Sequence, residues 1–120
     1  MNQLRFPLGV NYWPAAKAMY WWQNFDRAEV EQDLRRLAVA GFQVVRIFLT
    51  WEDFQPAPDK VCSKSLDCLL AVADLAAGCG LKIQPTLFCG HMSGVNWMPE
   101  WMLAGPERGR FPVVSQGRLR

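Results

Sequence analysis

Val44-Val45-Arg46-Ile47-Phe48-Leu49 is an almost uninterrupted apolar run, broken by one arginine. Continuous rather than alternating hydrophobicity predicts a strand covered on both faces, as in a parallel sheet. The run is entered through Gly41-Phe42-Gln43-Val44, and an equivalent Gly80-Leu81-Lys82-Ile83 stands 39 residues later. Each of these segments closes a helical pattern and opens a strand-like one. A (β/α)₈ barrel repeats units of this size, since ~250 residues over eight units gives ~31 each before loop insertions. Doubly wound sheets repeat similarly. Here, however, the first strand leads into Gly9-Val10-Asn11-Tyr12-Trp13-Pro14, which contains no glycine-rich phosphate loop. The expected fold class is therefore α/β: a partial (β/α)₈ TIM barrel built of βαβαβ units with parallel strands.

The flanking segments follow the same logic. A first strand is expected from Phe6 to Tyr12, followed by an aromatic-rich loop. Asp26 reads as a helix N-cap with Glu29 as its capping-box partner. Beyond it, Val30, Leu34, Leu37, Ala38 and Phe42 recur at helical spacing, Glu31–Arg35 forms an i,i+4 pair, and Gly41 ends the helix. Pro56 and Pro58 mark a loop. Ser63 or Ser65 reads as the cap of a second helix, with Leu66, Leu69, Leu70, Ala73, Ala76 and Ala77 as its apolar stripe. A third strand is expected from Leu81 to Phe88, then a loop with Gly90 and Gly94, and one helical turn near Pro99–Leu103. Residues 1–104 are read as the N-terminal portion of the barrel, and 105–120 as a loop or frayed tail.

Composition narrows the function classes. The chain has 120 residues, about one small domain, and is 51% hydrophobic with seven Phe and six Trp, enough to bury a core. Its net charge of +2 comes from residues 105–120, with four Arg and one Glu; residues 1–104 sum to −1. That leaves no basic face, so no nucleic-acid partner is expected. No apolar run approaches the ~20 residues of a membrane span, so no membrane is expected either. The N-terminus lacks a signal core, which favours a cytoplasmic location while leaving secretion of a processed form open. Cys62, Cys68, Cys79 and Cys89 contain no C-x-x-C pair. They read as reduced, partly buried apolar residues rather than a zinc or disulfide framework, and no cofactor or metal is expected.

Tryptophan placement is the most informative functional signal. Trp13, Trp21 and Trp22 follow the first strand, Trp51 the second, and Trp97 and Trp101 the third. In a βα barrel these loops gather at the C-terminal face, where active sites are built. Indole rings suit the apolar faces of pyranose sugars and retain an N–H for a hydroxyl; equally, they can plug the barrel rim against water. Arg46 is the second signal. An arginine inside an apolar strand needs a carboxylate or several acceptors, either within a site or in an internal ion pair. Glu52, Asp53 and Glu100 are loop or helix-start acids, none of them expected to be a nucleophile. His91, just past the third strand, is positioned to donate to a substrate or a carboxylate.

Three segments carry a family resemblance: Gly9-Val10-Asn11-Tyr12-Trp13-Pro14; Val45-Arg46-Ile47-Phe48-Leu49-Thr50-Trp51-Glu52-Asp53-Phe54-Gln55-Pro56; and Gly80-Leu81-Lys82-Ile83-Gln84-Pro85-Thr86-Leu87-Phe88 with Gly90-His91 and Asn96-Trp97-Met98-Pro99-Glu100-Trp101. Together, over roughly residues 6–104, they resemble the start of a family 5 glycoside hydrolase barrel of the cellulase/mannanase type. The clan is the one that also holds the family 42 β-galactosidases. The resemblance implies hydrolysis of β-linked sugars by double displacement, with an oligo- or polysaccharide as substrate. It matches Arg46 to the arginine that hydrogen-bonds the nucleophile, and His91 to the histidine after the third strand. Trp13, Trp51, Glu52 and Trp97 match sugar-lining loops. The acid/base glutamate of such enzymes follows the fourth strand in an Asn-Glu pair, and the nucleophile ends the seventh. No Asn-Glu pair occurs here, so neither catalytic glutamate is assigned, and the chain alone is expected to be inactive, marginally stable and prone to self-association through its open edge. The alternative is a non-catalytic α/β module that binds carbohydrate or a partner through its tryptophan-rich edge.

Overall fold

The computed structural model describes residues 6–92 and 94–103; the tail expected over 105–120 lies outside them. Three parallel strands, β1 (Gly9–Asn11), β2 (Val44–Thr50) and β3 (Lys82–Cys89), form one sheet in the order β1-β2-β3. Helix α1 (Arg27–Val39) connects the first pair. The short α2 (Trp51–Phe54) and the long α3 (Ser63–Gly78) connect the second. The two long helices pack on each other and on one face of the sheet. Consecutive strand order with helices on a single face is the architecture of a partial α/β barrel. No helix among the described residues is long and apolar enough to cross a membrane.

Local sequence accounts for most boundaries. The Asp26 carboxylate accepts from the amides of Ala28 (3.0 Å) and Glu29 (3.2 Å), the geometry of an N-cap. Glu29 does not complete a capping box: its carboxylate pairs with Lys17 at 3.2 Å instead. Gly41 and Gly80 both have positive φ, 95° and 73°, and they turn the chain from helix to strand at matching places. That shared backbone requirement, which only glycine meets without strain, is why the 39-residue repeat is visible.

Four further expectations about the elements need correction. The first strand, Gly9–Asn11, is shorter than Phe6–Tyr12: Leu8 O accepts from Gln43 and Val44, but Phe6 is 95% exposed. Trp51–Phe54 is helical rather than the loop that the resemblance implies, which is the helix-start alternative for Glu52 and Asp53. Cys62, not a serine, precedes the first residue of α3, while the Ser65 hydroxyl donates to Asp53 O at 2.7 Å and ties α3 to α2. The buried stripe of α3 is Ser65, Cys68, Val72, Leu75 and Ala76, rotated from the expected one; Leu66, Leu70, Ala73 and Ala77 are exposed.

The core sits between sheet and helices. Val45, Ile47 and Leu49 of β2 are at most 2% exposed, against Val30 and Leu34 of α1 and Val72 and Leu75 of α3. Trp21 and Trp22, in a 3₁₀ turn over Ala18–Trp22, belong to this core, with Trp22 Nε1 donating to Phe48 O at 2.8 Å. Tyr12 closes its edge. The phenol donates to Asp33 Oδ2 at 2.9 Å, and burial together with that neighbouring carboxylate pushes its pKa far above the ordinary value of 10.0.

Candidate functional site

The period of two along β2 sends its even-numbered residues away from the helices. Val44, Arg46, Phe48 and Thr50 therefore face the inner side of the sheet. Register aligns Asn11 of β1 and Gln84 of β3 with Arg46, and Thr86 with Phe48. The expectation that β2 is covered on both faces holds only for its upper half. Phe48 and Thr50 are buried, but Arg46 is exposed, because only the rim segments around Trp13, Met19 and Met92 fold over the inner face.

Arg46 is held from two directions. Its Nε donates to Thr86 Oγ1 at 2.8 Å, and its guanidinium carbon lies 4.9 Å from the centroid of the Phe48 ring. None of the ion pairs among the described residues involves it. With Nε occupied and the plane backed by an aromatic ring, the terminal nitrogens remain as an end-on fork suited to a carboxylate. The guanidinium opens on a cavity of about 510 Å³ lined by Gly9, Val10, Asn11, Val44, Arg46 and Gln84.

A second cavity, of about 400 Å³, lies toward the C-terminal end of the strands, lined by Asn11, Tyr12, Trp13, Phe48 and Met92. Trp13 tilts against Phe48 with centroids 6.4 Å apart. Trp97 packs in the same cluster; its Nε1 donates to Met92 O at 3.3 Å, and Tyr20 meets it edge-on at 5.4 Å. Cys89 lies beneath them, its thiol pKa pushed up by burial and partly opposed by Arg46. His91 stands exposed on a two-stranded ribbon, β4 (His91–Met92) with β5 (Val95–Asn96), one residue before the cavity-lining Met92.

Arg46, Trp13 and Trp97 thus converge around Phe48, with His91 on the adjoining ribbon. Trp51 belongs to a different cluster. It stacks on Phe88 at 5.5 Å, meets Trp101 edge-on at 6.4 Å, and its Nε1 donates to Gln55 Oε1 at 2.8 Å. Glu52 is exposed in the first turn of α2. Asn11, Gln84, Thr86, Phe48 and Met92 were not singled out from sequence. The first three had a signal: polar side chains at alternate positions of apolar strands, in step with Arg46. All four cysteines are free thiols, and the described residues contain no group of three or more His, Cys, Asp or Glu able to hold a metal ion.

No family model and no curated protein matches the chain. Solved structures do. An exo-β-1,4-mannosidase from Opitutaceae bacterium strain TAV5 is 41% identical, with TM-score 0.77, over 79% of this chain and 17% of that one. GH5_18 from Streptomyces cattleya, solved with GlcNAc, is 32% identical with TM-score 0.80, over 87% and 25%. A GH5_18 from Bifidobacterium longum subsp. infantis is 27% identical with TM-score 0.81, over 85% and 24%. The chain spans a quarter or less of the length of these structures.

Proposed function

Because the chain corresponds to the N-terminal part of a glycoside hydrolase family 5-like barrel, we propose that its inner face is one wall of a site that hydrolyses β-linked sugars, with β-mannosides as the substrate class. The observation that carries this reading is Arg46: an aromatic-backed fork on the inner face, with no carboxylate partner among the described residues. A retaining glycosidase needs an ionised carboxylate nucleophile beside the anomeric carbon. Two charge-assisted hydrogen bonds from Arg46 would lower that group's pKa and fix its orientation. Trp13 and Trp97 would supply apolar surface for the pyranose face, and Asn11 and Gln84 would supply amides for hydroxyls. His91 would donate from the rim. Trp51 and Glu52 would line a more distant sugar position. The mannoside assignment comes from the mannosidase likeness and from a GH5_18 variant of S. cattleya solved with Manβ1-4GlcNAc.

The test is a chimera in which residues 6–103 replace the matching segment of the Opitutaceae mannosidase. The chimera is expected to hydrolyse aryl β-mannoside. Arg46→Met in it should lower kcat at least a hundredfold, about 2.7 kcal/mol of transition-state stabilisation, and leave KM and melting temperature nearly unchanged. An Arg46→Met chimera with full kcat would remove the residue from the site.

A further inference from the structure

Sheet register sets Arg46 beside Asn11 and Gln84, and Thr86 beside Phe48, one inner-face row nearer the C-terminal end of the strands. Residues two apart on a parallel strand are separated by about 6.6 Å. The Arg46 side chain crosses that interval. Both neighbours in its own row carry amides, yet its Nε donates instead to Thr86 Oγ1 at 2.8 Å, and its guanidinium carbon lies 4.9 Å from the Phe48 centroid. The head group is thus drawn toward the end of the sheet where a barrel builds its site.

The same bond selects an edge of the guanidinium. A carboxylate can meet either the side formed by Nε and one terminal nitrogen or the end formed by both terminal nitrogens. Thr86 takes the Nε proton and closes the side. It also restrains a long, exposed side chain that would otherwise sample many rotamers. The fold itself has no use for this hydroxyl: valine has nearly the same shape and suits a strand equally well. Among the described residues, the bond to Arg46 is the only side-chain hydrogen bond that Thr86 makes.

We propose that Thr86 is a positioning residue: its hydroxyl holds the Arg46 guanidinium one row up the inner face and end-on to the carboxylate that Arg46 orients. The proposal rests on the role given to Arg46 above.

Two substitutions separate the hydroxyl from the methyl group. Thr86→Val keeps the shape and removes the hydroxyl, whereas Thr86→Ser keeps the hydroxyl and removes the methyl. In the mannosidase chimera, Thr86→Val is expected to lower kcat on aryl β-mannoside about tenfold, with KM and melting temperature unchanged, and Thr86→Ser to restore it. Because Thr86 acts through Arg46, Thr86→Val added to Arg46→Met should cost nothing further. Full kcat in Thr86→Val, a Thr86→Ser chimera as slow as Thr86→Val, or an added loss on top of Arg46→Met would each overturn the proposal. In the full chain, heteronuclear NMR follows the Arg46 Nε–H itself. Its exchange with water should be several-fold slower than in Thr86→Val, and slow again in Thr86→Ser; equal exchange in all three would overturn the proposal whatever the activity. A chimera inactive with Thr86 in place would sink the functional reading alone, and the exchange measurement would then decide whether Thr86 holds Arg46.

Discussion

The two faces of β2 differ in everything except their sequence neighbourhood. Val45, Ile47 and Leu49 point into a sealed layer of leucines, valines and tryptophans; on the other face Val44 and Arg46 point into an open concavity, and Phe48 and Thr50 lie buried under its aromatic rim. Adjacent residues therefore obey different physics. On the helix side, area removed from water decides each residue, at roughly 25 cal/mol per Å². On the inner side, burial is incomplete and side chains are placed by specific contacts such as Arg46 to Thr86. One face holds the fold together, and the other is free to carry chemistry.

The contrast is broken most severely at Ile47. Ile47→Asp places an unpaired carboxylate in a site with no exposed surface, and the expected outcome is loss of the folded state, a cost of several kcal/mol. Circular dichroism and a urea titration check it; a cooperative fold within 1 kcal/mol of the parent would show that the helix-side layer is not the core.

Tyr12 sits at the seam between the faces, so its effect should be intermediate. Its folded-state pKa is raised, which means that above pH ~10 the unfolded chain releases the phenolic proton while the folded chain retains it. The stability that Tyr12 contributes should therefore be constant below pH ~10 and fall above it, by at most ~1.4 kcal/mol per pH unit. Tyr12→Phe should remove that component of the alkaline slope and cost about 1 kcal/mol at neutral pH through the lost bond to Asp33. An unchanged slope in Tyr12→Phe would place the alkaline transition elsewhere.

Arg46→Met should have the smallest effect on stability. It removes one hydrogen bond and one cation–π contact on an exposed side chain, and it returns apolar contact with Phe48, so a change under about 1 kcal/mol is expected. A loss of several kcal/mol in thermal or chemical unfolding would make Arg46 part of the structural core and erase the distinction between the faces.

The barrel class, the strand–helix repeat and the unusual placement of Arg46 were legible in the chain because each leaves a local mark. Gly41 and Gly80 mark the positive φ that each helix-to-strand turn requires. Asp26 marks a cap, and a cation inside an apolar hexapeptide marks a face that is not hydrocarbon. The six tryptophans were less legible as a group. Their shared position after strands suggested one rim, yet Trp21 and Trp22 turn into the helix-side core, Trp13 and Trp97 gather at Phe48, and Trp51 and Trp101 build a separate stack. Nothing within a few residues of an indole specifies which of two layers it enters.

The same division runs through α3. Sequence alone determined that a helix starts near Ser63 or Ser65, closes at Gly78, and carries an apolar stripe that includes Leu66 and Leu70. Only the tertiary structure decided that Cys68, Val72 and Leu75 meet the sheet while Leu66 and Leu70 face outward. Helix formation depends on contacts three and four residues apart, which the chain encodes locally. The rotation of that helix about its axis depends on packing against α1, β2 and β3, partners tens of residues away, whose arrangement exists only once the sheet has formed.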